Sequence, residues 1–142
     1  GGVMGLIVLI HLAATLYMTG LIWFVQLVHY PLMDGVSRGG FRDYEARHAR
    51  RTGWVVGPPM LVELATAILL VLPGQDVGAG QARIGLGLLA LIWLSTALLQ
   101  VPLHRRLAGG FDPSAHRRLV ATNWIRTTAW SARAVLVSSW LV

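Results

Sequence analysis

Two ionisable residues sit where water is scarce. Glu63 lies inside GWVVGPPMLVELATAILLVL, residues 53–72, and Arg133 lies inside the last apolar stretch of the chain. A charge at the centre of a bilayer costs at least a few kcal/mol, so such a residue faces other helices and has a partner. Arg133 is the partner expected for Glu63. It closes a stripe of Asn123, Arg126, Trp130 and Arg133 at three- and four-residue spacing, which is one face of a helix. Across from that stripe the sequence offers Trp23 and Gln26 early in the chain, and Trp93 and Gln100 later. These types define a chemistry. Glu63 is a base whose proton affinity depends on Arg133, Arg126 or Arg133 stabilises a phenolate or carbonyl oxygen, and the Trp rings stack on a flat aromatic molecule. The competing reading is structural, with amides and arginines tying helices together at about 0.6 kcal/mol per hydrogen bond. A second arginine without an evident buried acid tips the balance toward an anionic or carbonyl-bearing ligand.

Histidines offer a second chemistry. His29, His48, His104 and His116 fall on one expected side of the membrane with Asp34, Asp43, Glu45 and Asp112 nearby, and imidazole with carboxylate suits non-haem iron, copper or zinc. His29 and His104 are the candidate metal ligands. No pair in this group is read at helical metal spacing, so the cofactor stays unassigned between haem, a non-haem metal and none. His11, toward the opposite face, reads as a satisfied core or interface histidine. With no cysteine there is no disulfide, thiolate metal site or thiol nucleophile. No Ser-His-Asp order, zinc-protease motif or pair of catalytic carboxylates is present, and the repeated Gly-Gly-Phe lacks the spacing and lysine of a phosphate loop.

The elements that must position these residues are membrane helices. A mean hydropathy of +0.61 with 55% hydrophobic and 13% charged residues is not a soluble profile. The net charge of +6 comes from arginines that flank apolar segments, a topology signal that argues against nucleic acid as partner. Proline, glycine and capping signals place helices at about 3–30, 43–72, 82–103 and 113–141, with a turn over 74–81 and Pro58-Pro59 inside the second helix. The first segment reads as a retained helix rather than a signal peptide.

The chain also repeats itself at an offset of about 70. Leu21-Ile22-Trp23 returns as Leu91-Ile92-Trp93, Gly39-Gly40-Phe41 as Gly109-Gly110-Phe111, and Trp54 as Trp124; with one residue of slip, Pro31-Leu32 returns as Pro102-Leu103. The expected fold is all-α: a single membrane domain over 1–142, a four-transmembrane-helix bundle of two parallel two-helix repeats, about 1–73 and 74–142. Glu63 and Arg133 then occupy equivalent depths, roughly 13 Å beyond Trp54 and Trp124 at about 1.5 Å per residue. Arginine counts make both long loops cytoplasmic and put both termini on the other side of the membrane.

The segments WFVQLVHYPL, WVVGPPMLVELATA, LIWLSTALLQVPLH and ATNWIRTTAWSAR resemble a group of uncharacterised bacterial four-helix integral membrane proteins over nearly the whole chain. More distantly, Asn123, Arg126-Thr127 and Arg133 are similar to the closing pattern of the anthrone-oxygenase-like membrane family. That resemblance implies oxidation of a polycyclic phenol in a pocket of Trp and Arg residues. It also fits a bacterial inner-membrane location. The expected function is a buried polar pocket binding a hydrophobic aromatic or quinone-like ligand, with oxygenase chemistry as an extension. The alternative is a non-catalytic transmembrane subunit packed against other membrane subunits or a second copy of itself.

Overall fold

A computed structural model describes residues 2–75 and 77–142; Asp76, within the expected turn, lies outside the described residues. The chain is all-helical. Helix α1 runs Gly2–Phe24, passes through a π-helical turn Val25–His29 and continues as Tyr30–Leu32. Helix α2 is Phe41–Leu70. Helix α3 is Ala79–Ser95, a second π-helical turn Thr96–Gln100, and Val101–Ala108. Helix α4 is Pro113–Ser138, followed by a 3-10 turn Ser139–Leu141.

Prolines explain the two wide turns. A proline has no N–H to donate, and its ring pushes against the carbonyl four residues back. Pro31 and Pro102 do this to Leu27 and Leu98, each inside a π turn that widens the helix and leaves the chain helical beyond it. Pro58 and Pro59 remove the corresponding donors in α2, yet that helix runs on unbroken to Leu70. Helix α4 starts where Asp112 caps it: its carboxylate accepts from the N–H groups of Ser114 at 2.8 Å and Ala115 at 3.0 Å. Those bonds, that of Ala115 foremost, with help from Arg106, hold the Asp112 carboxyl below its ordinary range. The cap therefore contributes stability above the ordinary carboxylate pKa and loses it as the pH falls through the lowered value.

Three helices, 5–35, 41–70 and 79–108, are long and apolar enough to cross a membrane, as expected of a multi-pass membrane protein. Helix α4 is different because it carries Arg117, Arg118, Arg126 and Arg133. The four helices form a ring in which α1 neighbours α2 and α4, and α3 neighbours α2 and α4. The diagonal pairs do not pack backbone to backbone. One apolar cluster, with Met18, Ile22, Met60, Leu89, Ile92 and Trp130, fills the middle of the ring, and a second, with Tyr30, Met33, Phe41, Leu107 and Leu119, fills the end where the 33–40 and 109–112 connections lie. There the two Gly-Gly-Phe copies meet: the Phe41 and Phe111 rings lie edge to face at 5.0 Å, and Arg38 covers the Phe111 face at 3.7 Å.

Only long side chains cross the diagonal between α2 and α4. Arg133 Nε donates to Glu63 Oε1 at 2.8 Å, both side chains fully buried. The Trp130 indole N–H is shared between the two carboxylate oxygens at 3.2 Å each. The other two Arg133 nitrogens reach the Gly85 carbonyl on α3 and His11 Nε2 on α1, the latter at 3.0 Å. Because arginine can only donate, His11 Nε2 accepts, and its Nδ1 carries the proton to Thr66 Oγ1 at 2.7 Å; Thr66 in turn donates to the Val62 carbonyl at 2.7 Å. His11 is a satisfied core histidine, stacked on Trp140 at 5.9 Å. One ion pair thus joins all four helices.

Removing one partner of a buried pair leaves an uncompensated charge, whereas replacing both by apolar groups does not. Arg133→Met is expected to lower unfolding stability by about 3–5 kcal/mol, and Glu63→Met with Arg133→Met to recover most of it. Denaturant unfolding in detergent, followed by circular dichroism, measures both.

Candidate functional site

The seam between α2 and α3 is the loosest of the four, and a cavity of about 340 Å³ opens there. Its apolar wall is Ala46, Ala49, Gly53, Val56, Val101 and Ala108, and its polar wall is Tyr30, Glu45, His48, Thr52, Gln100, His104 and Arg126. The π turn of α3 makes this wall. It carries Thr96, which accepts from Arg126 Nη1 at 3.3 Å, and Gln100, held by Ser95 at 2.9 Å and Thr122 at 3.2 Å.

Arg126 is nearly buried and has no carboxylate partner among the described residues. It is positioned by Asn123, whose Oδ1 accepts from Nε at 2.9 Å and Nη2 at 2.7 Å. Asn123 is fixed in turn by Gln26 Oε1 at 2.9 Å, which also accepts from Thr127 at 3.0 Å, while Gln26 donates to the Val120 carbonyl at 3.1 Å. Gln26 lies in the π turn of α1. Both widened turns therefore deliver the amides that hold this corner of the bundle.

From Arg126 a hydrogen-bonded chain runs outward. Nη2 donates to the Tyr30 hydroxyl at 3.1 Å, that hydroxyl donates to His104 Nε2 at 2.9 Å, and His104 Nδ1–H donates to Glu45 Oε1 at 2.5 Å. With donors assigned from the arginine end, every member donates once along the chain. His48 lies beside it, ring centroids 5.3 Å apart. His48 Nδ1 meets His29 Nε2 at 2.9 Å and Thr52 Oγ1 at 3.1 Å. On the other side of His48 an open groove of about 560 Å³, with Asp43, Arg47 and Arg51, reaches the surface.

Compared with protein-family models, curated proteins and solved structures, the chain matches none. Its site is therefore read from geometry. Of the residues expected from sequence, Gln100, His104 and Arg126 line the cavity, and Asn123 and Gln26 stand behind Arg126. Glu63, Arg133 and Trp130 are locked together in the bundle centre and line no part of it. Trp23 is bonded to Ser131 at 3.0 Å near the outer surface, and Trp93 flanks the central apolar cluster. Among the described residues, no tryptophan lines the cavity. His29 buttresses His48 instead of facing the cavity, and His116 is a tether, its ring N–H donating to the Tyr30 carbonyl at 2.7 Å.

The expectation that no pair of these groups stands at helical metal spacing needs correction. Glu45 and His48 are three residues apart on α2, the Glu-x-x-His spacing that puts a carboxylate and an imidazole on one helix face. The pair joins an acid to an imidazole, so a search for histidine against histidine does not find it.

The Arg126–Tyr30–His104 chain is testable through its middle member. Tyr30→Phe keeps the ring and leaves one acceptor on His104 without its donor, a loss of about 1–3 kcal/mol. A thermal shift of the detergent-purified variant measures it, with Tyr44→Phe, on a tyrosine outside the chain, expected to be close to neutral.

Proposed function

We propose that the protein is a multi-pass inner-membrane protein that binds a flat hydrophobic molecule bearing a carbonyl or phenolic oxygen, of the quinone or polycyclic-phenol class. The observation that carries this reading is Arg126, a nearly buried guanidinium without a carboxylate, on the wall of a cavity whose other side is apolar. A buried charge wants a compensating group, and a ligand oxygen in that cavity is one. The volume of about 340 Å³ lies within the range of small-molecule sites, roughly 300–1,000 Å³. The cavity opens between two apolar helices, so a lipid-soluble ligand enters sideways. It stacks on the imidazoles of His48 and His104 and hydrogen-bonds to Arg126 and Gln100.

In this reading Glu63 and Arg133 are the structural lock of the bundle and not a base with its counter-ion. Helix α4 crosses the membrane as the fourth span with its arginines turned inward, and both long loops face the cytoplasm. The two halves of the chain are parallel repeats about an axis through the bundle centre. Support comes from Phe41 on Phe111 and Glu63 on Arg133, each pair 70 positions apart, and from π turns that begin at 25 and 96, ahead of equivalent prolines. The resemblance to the anthrone-oxygenase-like family agrees with the ligand class.

Equilibrium binding of a naphthoquinone to the protein in mild detergent tests the reading. Loss of a charge-assisted hydrogen bond, about 1.5–3 kcal/mol, predicts a 10- to 100-fold weaker affinity for Arg126→Leu. Filling the space with Ala49→Trp is expected to abolish binding without touching the polar chain. A native protein that binds no quinone or polycyclic phenol, and that co-purifies with another membrane subunit, points to the accessory role instead.

A further inference from the structure

We propose that Glu45, His48 and His104 bind one divalent first-row transition-metal ion at the rim of the cavity, with open coordination positions toward the ligand. The proposal deepens the ligand reading and rests on it only for what those open positions face. One donor atom from each residue lies within 4.8 Å of the other two. Bonds of about 2.0–2.2 Å put neighbouring donors about 3 Å apart, so the widest pair needs to close by about 2 Å at most.

Three features set it apart from a chance cluster. The first is Glu45, which is 1% exposed and whose Oε2 has no hydrogen-bond partner. A buried carboxylate oxygen left bare is costly, and a metal ion satisfies it. The second is the short contact of 2.5 Å between His104 Nδ1 and Glu45 Oε1, where a proton stands between two groups that are both metal donors. Metal binding replaces that proton. The third is the support behind each imidazole. Metal-ligating histidines almost always give their other N–H to an acceptor that fixes the ring. With the metal on Nδ1, His104 carries its proton on Nε2 and gives it to the Tyr30 hydroxyl oxygen, which reverses the donor order of the metal-free chain. His29 Nε2 and Thr52 Oγ1 stand at His48 Nδ1, which leaves His48 Nε2 as the atom offered to the metal. Tyr30 and His29 are positioning residues here.

Two imidazoles and one carboxylate select the metal class. Calcium and magnesium prefer all-oxygen shells, and a copper(I) site wants sulfur, whereas iron(II), manganese(II), cobalt(II) and zinc(II) accept this set. Three protein donors leave three positions of an octahedral ion open. The site has no counterpart in the other half of the chain: at an offset of 70 Glu45 is matched by Ala115 and His48 by Arg118, and His104 is matched by Met33 with the one-residue slip of the proline pair.

The test uses the full chain, purified without a histidine tag and stripped with chelator, and titrates cobalt(II) into it with no quinone present. The expected result is visible d–d absorption that saturates at about one ion per chain, displaced by zinc(II). His48→Ala and Glu45→Gln are expected to abolish the bands, and His29→Ala to weaken binding by about 10- to 100-fold, as loss of a supporting partner does. Asp43→Asn, an exposed acid on the same helix, is expected to bind like the native protein. A native protein that develops no d–d bands overturns the proposal whatever the variants do, and so does an Asp43→Asn loss as large as that of His48→Ala. Cobalt binding that survives while naphthoquinone binding fails overturns the ligand reading and leaves the metal site standing.

Discussion

A carboxylate cannot stay ionised in an apolar bundle without an opposite charge, and the geometry of this protein follows from meeting that need once. Glu63 on α2 and Arg133 on α4 sit on helices whose backbones do not touch, so the pair spans the diagonal of the ring. Arginine is suited to this because it reaches far and presents several donors in a fixed fork. The same guanidinium serves the Gly85 carbonyl on α3 and His11 on α1, so the charge is neutralised and the four helices are set at one depth together. Breaking any of these contacts exposes a polar atom to hydrocarbon, which makes the pair a specifier of helix order more than a source of net stability. The middle of the bundle is thereby filled, and the cavity at the α2–α3 seam lies away from the pair.

The polar wall of that cavity has a local cause. Pro31 and Pro102 each disturb the carbonyl four residues back, and the chain responds with a π turn instead of a break. An extra residue per turn rotates side chains that a regular helix would point elsewhere. Gln26 and Gln100 arrive at the interior this way. The first reaches Asn123 and through it fixes Arg126; the second lines the cavity. The α2–α3 seam is left loose, with the polar residues of one wall already bonded to one another. Preorganisation of this kind lets a site bind without first ordering its own side chains.

Much of this was legible in the sequence. The helices follow from apolar runs and proline positions, and the Glu63–Arg133 pairing follows from two charges that each needed a partner at the same depth. The α3 boundaries moved outward, from about 82–103 to 79–108, because Pro102 was read as a terminus when a π turn absorbs it. The site was legible in part. Arg126, Gln100 and His104, expected at a site from sequence, line the cavity, whereas Glu63 is buried with no open face and Trp23 and Trp93 do not reach it. A one-dimensional pattern shows which residues share a helix face but not which seam between helices is loose. Glu45 and His48 were visible as Glu-x-x-His all along. They were hidden by their neighbours, because DYEARHARR looks like a charged interfacial helix until its buried side is known.

The central claim is that the protein works at the α2–α3 seam while the ion pair in the bundle centre only holds it together. Photo-crosslinking with an azido-naphthoquinone, followed by peptide mass spectrometry, tests it most directly. The account predicts adducts on the cavity wall, at Ala46, Ala49, Val56 or Val101, and competition by unlabelled quinone. Saturable adducts around Glu63 and Trp130, with none at the seam, would contradict it.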